Sequence, residues 1–294
     1  MTIYNLGSIN ADHLYGVPHL PRPGETLSAI SFFTGLGGKG INQSVAAARA
    51  GSKVVHIGAV GPDGGWAIDQ IAGYGIDTQL ISRVETPTGH AIVNVDQDGE
   101  NAIVIFSGAN NCQNIDQINK ALGGAGTGDI LLLQNETTLQ ADAAKIAYDR
   151  GVKVIYSAAP FSVKAIKSVL SYTTVLMMNK VESEQLCAGL DTDLSKLPVE
   201  EIIVTKGSEG ADWLQPKTGQ TAHAPSFPVV AVDTTAAGDT FAGYFAAGID
   251  QGQSAQDAMT LASAAAALKV THKGTADAIP TRAEVDAFLK DGQP

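Results

Sequence analysis

From residue 129 onward, short apolar runs alternate with amphipathic stretches, and this order limits the chain to few folds. Runs at 130–133, 152–156, 174–178 and 202–205 read as buried strands. Helical patterns lie between them at 140–150, 163–170 and 181–188. Such alternation implies a mostly parallel sheet covered on both faces, with ligands bound beyond the carboxyl ends of its strands. The N-terminal part adds a strand at 3–8, a helix at 39–50 stopped by Gly51, a strand at 54–59 and a helix at 64–74. A hairpin (211–215 and 221–224) and helices at 238–250, 255–270 and 282–289 complete the pattern. The expected fold is α/β, a three-layer sandwich with a central, mostly parallel sheet, in one domain over 1–294. Two segments break the alternation. Residues 14–34 are punctuated by Pro18, Pro21, Pro23 and Gly24, and 89–106 reads as two strands around the Asp98-Gly99 turn. Together they are expected to form a small β-sheet lid over the site.

A chain of 294 residues can bury the core of one large α/β domain. The net charge of −11, without a Lys/Arg cluster, argues against nucleic acid as a partner. No membrane span is expected, because the alanine-rich stretch 255–270 is too short and too polar at its start. The chain enters a strand pattern at once, so no signal peptide is expected. Cys112 and Cys187 lack metal-ligand spacing and read as buried thiols of a reducing cytoplasm.

The richest segment is Asp233-Thr234-Thr235-Ala236-Ala237-Gly238-Asp239-Thr240-Phe241. A strand-like run at 228–232 leads in, and a helix follows with Phe241, Tyr244 and Phe245 on one face. The amides of Ala236, Ala237 and Gly238 would open a helix N-terminus toward a phosphate or developing anion. Asp239 stands beside them, where a carboxylate can take a proton from an attacking hydroxyl. The plain alternative is a helix cap, which the second acid, Asp233, six residues earlier, makes less sufficient.

Gly35-Leu36-Gly37-Gly38-Lys39-Gly40 matches G-x-G-x-x-G, yet it neither ends the first strand nor precedes an acid at the end of the next one, as a dinucleotide site requires. Lys39 is followed by Gly40, which excludes a Walker loop. What remains is a loop whose glycines admit a polyhydroxyl ligand, with Asn42 on the first helical turn, or a tight turn with a surface lysine. Asn10 and Asp12 share one face if the chain stays extended there, although singly such residues are more often turn formers.

Taken together, these segments resemble the ribokinase-like (PfkB) family of sugar kinases. Gly7-Ser8-Ile9-Asn10-Ala11-Asp12-His13 is similar to its first-strand motif, Gly37-Gly38-Lys39-Gly40-Ile41-Asn42-Gln43 to its first signature, and Asp233 to Phe241 to its second. Asn179-Lys180-Val181-Glu182 and Thr205-Lys206-Gly207-Ser208-Glu209-Gly210 resemble its magnesium and nucleotide elements. The resemblance implies a ribokinase-like sandwich with a β-lid, ATP as co-substrate, and γ-phosphoryl transfer to a sugar's primary hydroxyl. On it, Asp239 is the general base, and Ala236, Ala237 and Gly238 supply the amides that stabilise the transferring group. Asn10, Asp12, Gly38, Lys39, Asn42 and Glu136 hold the sugar. Asn179, Thr205, Gly207, Gly210, Gly238 and Ser263 line the nucleotide site, and Asn179 and Glu182 organise Mg²⁺ mainly through water. The resemblance also implies a K⁺ ion, held by the Asp233 side chain and the carbonyls of Thr235, Lys269, His272 and Gly274. Ala278 replaces the serine usual for that ion, and Lys180 a usual glutamate.

The sugar most favoured by Asn10, Asp12 and Asn42 under this resemblance is ribose, to give ribose 5-phosphate. The alternatives are deoxyribose, a ketohexose or a nucleoside as acceptor, and, without catalysis, a sugar or nucleotide sensor. His90 in the lid is a candidate to touch the substrate. A homodimer joined through the lid segments is expected by the same analogy.

Overall fold

The computed structural model describes residues 1–291. In chain order its first elements are β1 (Thr2–Leu6), β2 (Asn10–Gly16), β3 (Ser31–Gly37) and α1 (Lys39–Arg49). Next come β4 (Lys53–Val60), α2 (Gly65–Gly73), β5 (Asp77–Arg83), β6 (Gly89–Val95), β7 (Asn101–Phe106) and α3 (Ile115–Leu122). A regular run follows: β8 (Ile130–Gln134), α4 (Gln140–Asp149), β9 (Lys153–Ser157), α5 (Val163–Val169), β10 (Val175–Asn179), α6 (Lys180–Leu190) and β11 (Glu201–Thr205). The hairpin β12 (Ala211–Gln215) and β13 (Gln220–Ala224) precedes α7 (Ala237–Asp250), α8 (Ala255–Val270) and α9 (Arg282–Asp291).

Among the described residues, nine strands form the central sheet in the order β13-β12-β11-β10-β9-β8-β1-β4-β5, parallel except for the terminal hairpin. The run of apolar residues in each inner strand is divided between two cores by the strand's period of two. In β8, Ile130 and Leu132 face the core with α1, α7 and α8, while Leu131 and Leu133 face the core beside α4 and α5. In β10, Val175 and Met177 divide from Leu176 and Met178 in the same way. This is the three-layer arrangement that the alternation implied.

A second sheet, in the order β3-β2-β6-β7, forms the lid. Its first segment starts at Asn10, earlier than the expected residue 14, and residues 17–30 contain no strand. Only three residues separate β1 in the central sheet from β2 in the lid. Polar Asn10 and Asp12 interrupt the apolar pattern, which hid this strand in the sequence. β5 was hidden for a similar reason: it is an edge strand in which only Ile81 is buried. The short α3 was also missed; it is capped by the Asn114 side chain, which accepts from the Asp116 amide (2.8 Å). Residues 228–232, expected to be a strand, are irregular, and Val230 and Val232 are exposed. Cys112 and Cys187 are free thiols, half-buried where full burial was expected.

Two helical glycines make opposite demands. A Cβ on Gly40 would lie 2.3 Å from the Ser8 amide nitrogen and 2.4 Å from the Gly7 backbone, because α1 abuts the loop after β1. A Cβ on Gly73, at the end of α2, would meet nothing within 4 Å. Gly73→Ala is expected to be neutral or to stabilise by up to ~1 kcal/mol. Gly40→Ala is expected to destabilise by about 1–3 kcal/mol through overpacking. Urea midpoints of the two variants check the contrast, and a stabilised Gly40→Ala would contradict the packing described.

Candidate active site

β1 is the point at which the sheet order reverses. The chain moves outward to β4 and β5 on one side, and through β8, β9, β10 and β11 on the other. The crevice beyond the carboxyl ends of β1 and β8 is therefore where a ligand is expected. Ser8 follows β1 there, and Glu136 follows β8. Ser8 Oγ donates to Glu136 Oε2, and the Lys39 amide donates to the same oxygen (3.0 Å). Gly38, with φ 98°, turns the chain into α1, a conformation that favours glycine. A Cβ on Gly37 would stand 1.8 Å from Asp12 Oδ2, so Gly37 leaves room for that carboxylate over the loop.

Asn10 and Asp12 lie on one face of β2, as extended chain requires. Asn110 Nδ2 donates to Asn10 Oδ1 (2.7 Å), while Asn110 Oδ1 accepts from the Ile9 amide (2.9 Å). His90 pairs with Ala11 and so faces away from Asn10 and Asp12, toward the ring of Phe106. The structure therefore places His90 on the opposite face of the lid from Asn10 and Asp12. Burial, then the charge of Glu136, pushes the Asp12 carboxyl up to about 7. Burial also raises the Glu136 carboxyl, and the charge of Asp239 holds the Lys39 amine above its ordinary value.

Asp239 is buried in the first turn of α7, where α7 meets α1. Asn42 Nδ2 donates to its Oδ2 (3.0 Å) and Gln43 Nε2 to its Oδ1 (3.3 Å). Asn42 Oδ1 is buried with no partner among the described residues. Behind Gln43 runs a polar chain through the core. Gln134 Nε2 donates to Gln43 Oε1 (2.8 Å) and to Asn5 Oδ1 (2.9 Å), and Asn5 Nδ2 donates to Ser44 Oγ (2.9 Å). Ser44 Oγ lies 2.9 Å from His56 Nδ1, and His56 Nε2 lies 3.3 Å from the Gly7 carbonyl. A carbonyl only accepts, so Nε2 carries the proton and Nδ1 accepts from Ser44.

Ala236 caps α7 in the left-handed region (φ 59°, ψ 9°). The Ala237 amide donates back to the Thr234 carbonyl (3.3 Å), so it is turned inward and not toward a ligand as expected. Among the described residues, no protein acceptor faces the amides of Ala236 and Gly238. A Cβ on Gly238 would meet nothing within 4 Å, which leaves its amide approachable. Beside this turn opens a cleft of about 590 Å³ lined by Thr205, Gly207, Gly210, Gly238 and Ser263, and by Phe227 and Val229, which the sequence did not single out. Asn179 does not line it. Instead, Asn179 and Glu182 form a capping box at the start of α6: Glu182 N donates to Asn179 Oδ1 and Asn179 N to Glu182 Oε2, each at 2.8 Å. Among the described residues, no cluster of three or more His, Cys, Asp or Glu side chains has the arrangement of a metal site.

Asp233, Thr235, Lys269, His272 and Gly274 lie together where α8 ends, but Thr235 and Gly274 meet Asp233 through their amides and not through the expected carbonyls. Asp233 Oδ1 accepts from the Thr235 amide and Oδ2 from the Gly274 amide, both at 2.9 Å. The Lys269 side chain, expected to play no part, is fully buried and points into the group. Ser8, Gln43 and Asn110 were also missed as site residues. The first two stand within the quoted motifs, and Asn110 carried no local signal.

The family model for pfkB family carbohydrate kinases matches residues 3–282. Ribokinase of Haemophilus influenzae is 37% identical over 98% of this chain and 98% of its own. The crystal structure of ribokinase from Thermotoga maritima has a TM-score of 0.89 at 34% identity, covering 99% of both chains. Ribokinase of Arabidopsis thaliana, solved with ribose and ATP, has a TM-score of 0.86 at 29% identity over 98% of each chain. The chain belongs to the pfkB family of carbohydrate kinases, and its fold is that of the ribokinases.

Burial depresses the His56 imidazole to about 4, against about 6.5 when free. The unfolded chain therefore binds more protons between these values, so His56 costs stability as pH falls through that window. From pH 7.5 to 5 this loss should reach about 2 kcal/mol. The raised Asp12 carboxyl acts with opposite sign, favouring the folded state as pH falls, and is common to wild type and variant. His56→Gln should show a flatter acid limb than wild type in urea unfolding at the two pH values. Identical limbs would mean that His56 is not buried as a neutral base.

Proposed function

We propose that this chain transfers the γ-phosphoryl group of ATP to the primary hydroxyl of a sugar, D-ribose, giving ribose 5-phosphate. The observation that carries this reading is Asp239, fixed by Asn42 and Gln43 beside a turn with two approachable amides. The sugar lies in the crevice at Asn10, Asp12, Gly38, Lys39, Asn42 and Glu136, with its primary hydroxyl toward Asp239. Asp239 takes the hydroxyl proton as the oxygen attacks phosphorus, and the leaving group is ADP in the cleft at Thr205, Gly207, Gly210 and Ser263. Lys39 and the amides of Ala236 and Gly238 face the negative charge carried by the moving group. The Ala237 amide joins them if the turn releases it from Thr234.

Mg²⁺ fits this arrangement through the second oxygen of Glu182, which the capping box does not use, and through ordered water, since this ion keeps much of its hydration. When bound it neutralises the charge of the β- and γ-phosphates. K⁺ is not part of this reading, because the residues expected to hold it already enclose a charge of their own. The chain acts as one kinase unit with its lid, in the cytoplasm, where ATP is present and free thiols such as Cys112 and Cys187 stay reduced.

The test is ATP turnover with Mg²⁺ on a panel of ribose, deoxyribose, fructose and adenosine. Ribose should have the highest kcat/KM, and Asp239→Asn should lower kcat by about 10²–10⁴-fold with little change in ATP affinity. Equal rates in the two proteins would remove Asp239 as the base, and a tenfold preference for another acceptor would replace ribose.

The lid supports a further part of the reading, a homodimer. Phe32, Phe33, Ile103, Val104, Ile105 and Phe106 are all 46–64% exposed on it, a concentration of apolar surface that usually marks an interface. Light scattering at micromolar concentration should give twice the chain mass. A monomer that becomes no larger with concentration would exclude the lid interface.

A further inference from the structure

Lys269 is the penultimate residue of α8 and one of the largest fully buried side chains, at 0% exposure. Its ammonium donates to the carbonyls of Asp233 (3.1 Å) and His272 (3.4 Å), and the Asp233 carboxylate lies 3.8 Å away. Carbonyls and a carboxylate converging on one point make a cage for a small cation, and here the cation is attached to the chain. These residues do not fit the free K⁺ that the family resemblance implies. Two of the oxygens are already turned to the ammonium. The Lys269 carbonyl accepts from the His272 amide (3.0 Å), so it is engaged elsewhere. Ala278, whose Cβ lies beside Gly274, contributes no oxygen. A second unit charge in the same cage would meet the first at close range, with little water to screen it.

We infer that the Lys269 ammonium serves as a tethered monovalent cation that positions the anion-binding turn, and that the enzyme needs no free K⁺ there. The path is short. Lys269 holds the Asp233 carbonyl, and the amides of Val232 and Asp233 both donate to the Val270 carbonyl (2.7 and 3.1 Å). The end of α8 thus fixes the residue from which the turn runs to Ala236 and Gly238. Lys269 is a positioning residue, since it acts through this turn. The inference rests on the kinase reading of the site, but occupancy of the cage by an ion is measurable without turnover.

The experiment compares wild type with Lys269→Ala, which opens space, and Lys269→Met, which keeps bulk but removes charge. Ion binding is read by ²⁰⁵Tl⁺ line broadening and by the K⁺ dependence of Tm, and activity is read in KCl against tetramethylammonium chloride. Wild type should show no specific Tl⁺ binding, no K⁺-specific Tm shift, and rates equal to within about twofold in the two salts. Lys269→Ala should bind Tl⁺ in competition with K⁺, and K⁺ or NH₄⁺ should raise its rate by about tenfold or more. Lys269→Met should lose rate without rescue. Wild type that binds Tl⁺ or is activated tenfold by K⁺ overturns the inference, as does a folded Lys269→Ala that keeps full rate without any ion. If Lys269→Ala does not fold, the wild-type titration alone decides. If no sugar is phosphorylated by any of the proteins, the kinase reading fails, while the Tl⁺ and Tm results still judge the cage.

Discussion

Two side-chain amides on the first turns of α1 hold one carboxylate on the first turn of α7, and the site is organised around that contact. Asn42 and Gln43 each give one N–H to Asp239, and the three residues are buried. A buried carboxylate needs such donors, because without them its charge would go uncompensated in a medium of low polarity. Gln43 is itself held by Gln134, so the position of Asp239 is transmitted from β8 and β1 through side chains. The close approach of Gly7 and Gly40 brings α1 near enough to the sheet for this to occur. Asp239 is thereby positioned by rigid elements and not by loops, which keeps its tolerances small.

The central sheet was legible in the sequence because its inner strands are apolar on both faces, a pattern few other structures produce. The edges were not. β2 carries polar Asn10 and Asp12 and β5 is polar at both ends, and without the partner strand they look like loop. The run at 228–232 erred in the other direction: its valines look like strand, but Pro228 lacks a donor and the segment only skirts the cleft. For the site, short motifs singled out Asp239, Asn42, Asn10 and Asp12, and the family resemblance added Glu136. Asn110 was beyond reach, since its partners stand about a hundred positions away and no local pattern announces them. Lys269 was hidden by habit of composition, because lysine is almost never fully buried unless paired.

Asn179 and Glu182 form a reciprocal pair at the start of α6. Each supplies a hydrogen bond that closes the start of α6, and this alone accounts for their spacing. The same arrangement leaves one carboxylate oxygen at the end of β10, on the side of the sheet where the strands present their ligands. A cap of this kind fixes the carboxylate in space.

The three-residue link between β1 and β2 has a mechanical consequence. Asn10 and Asp12 stand on the lid sheet, whereas Ser8 and Glu136 follow strands of the central sheet. A molecule held by both sets would bridge two sheets joined by a link of three residues. Any shift of one sheet against the other would then alter that grip directly, because so short a link has little slack to absorb it.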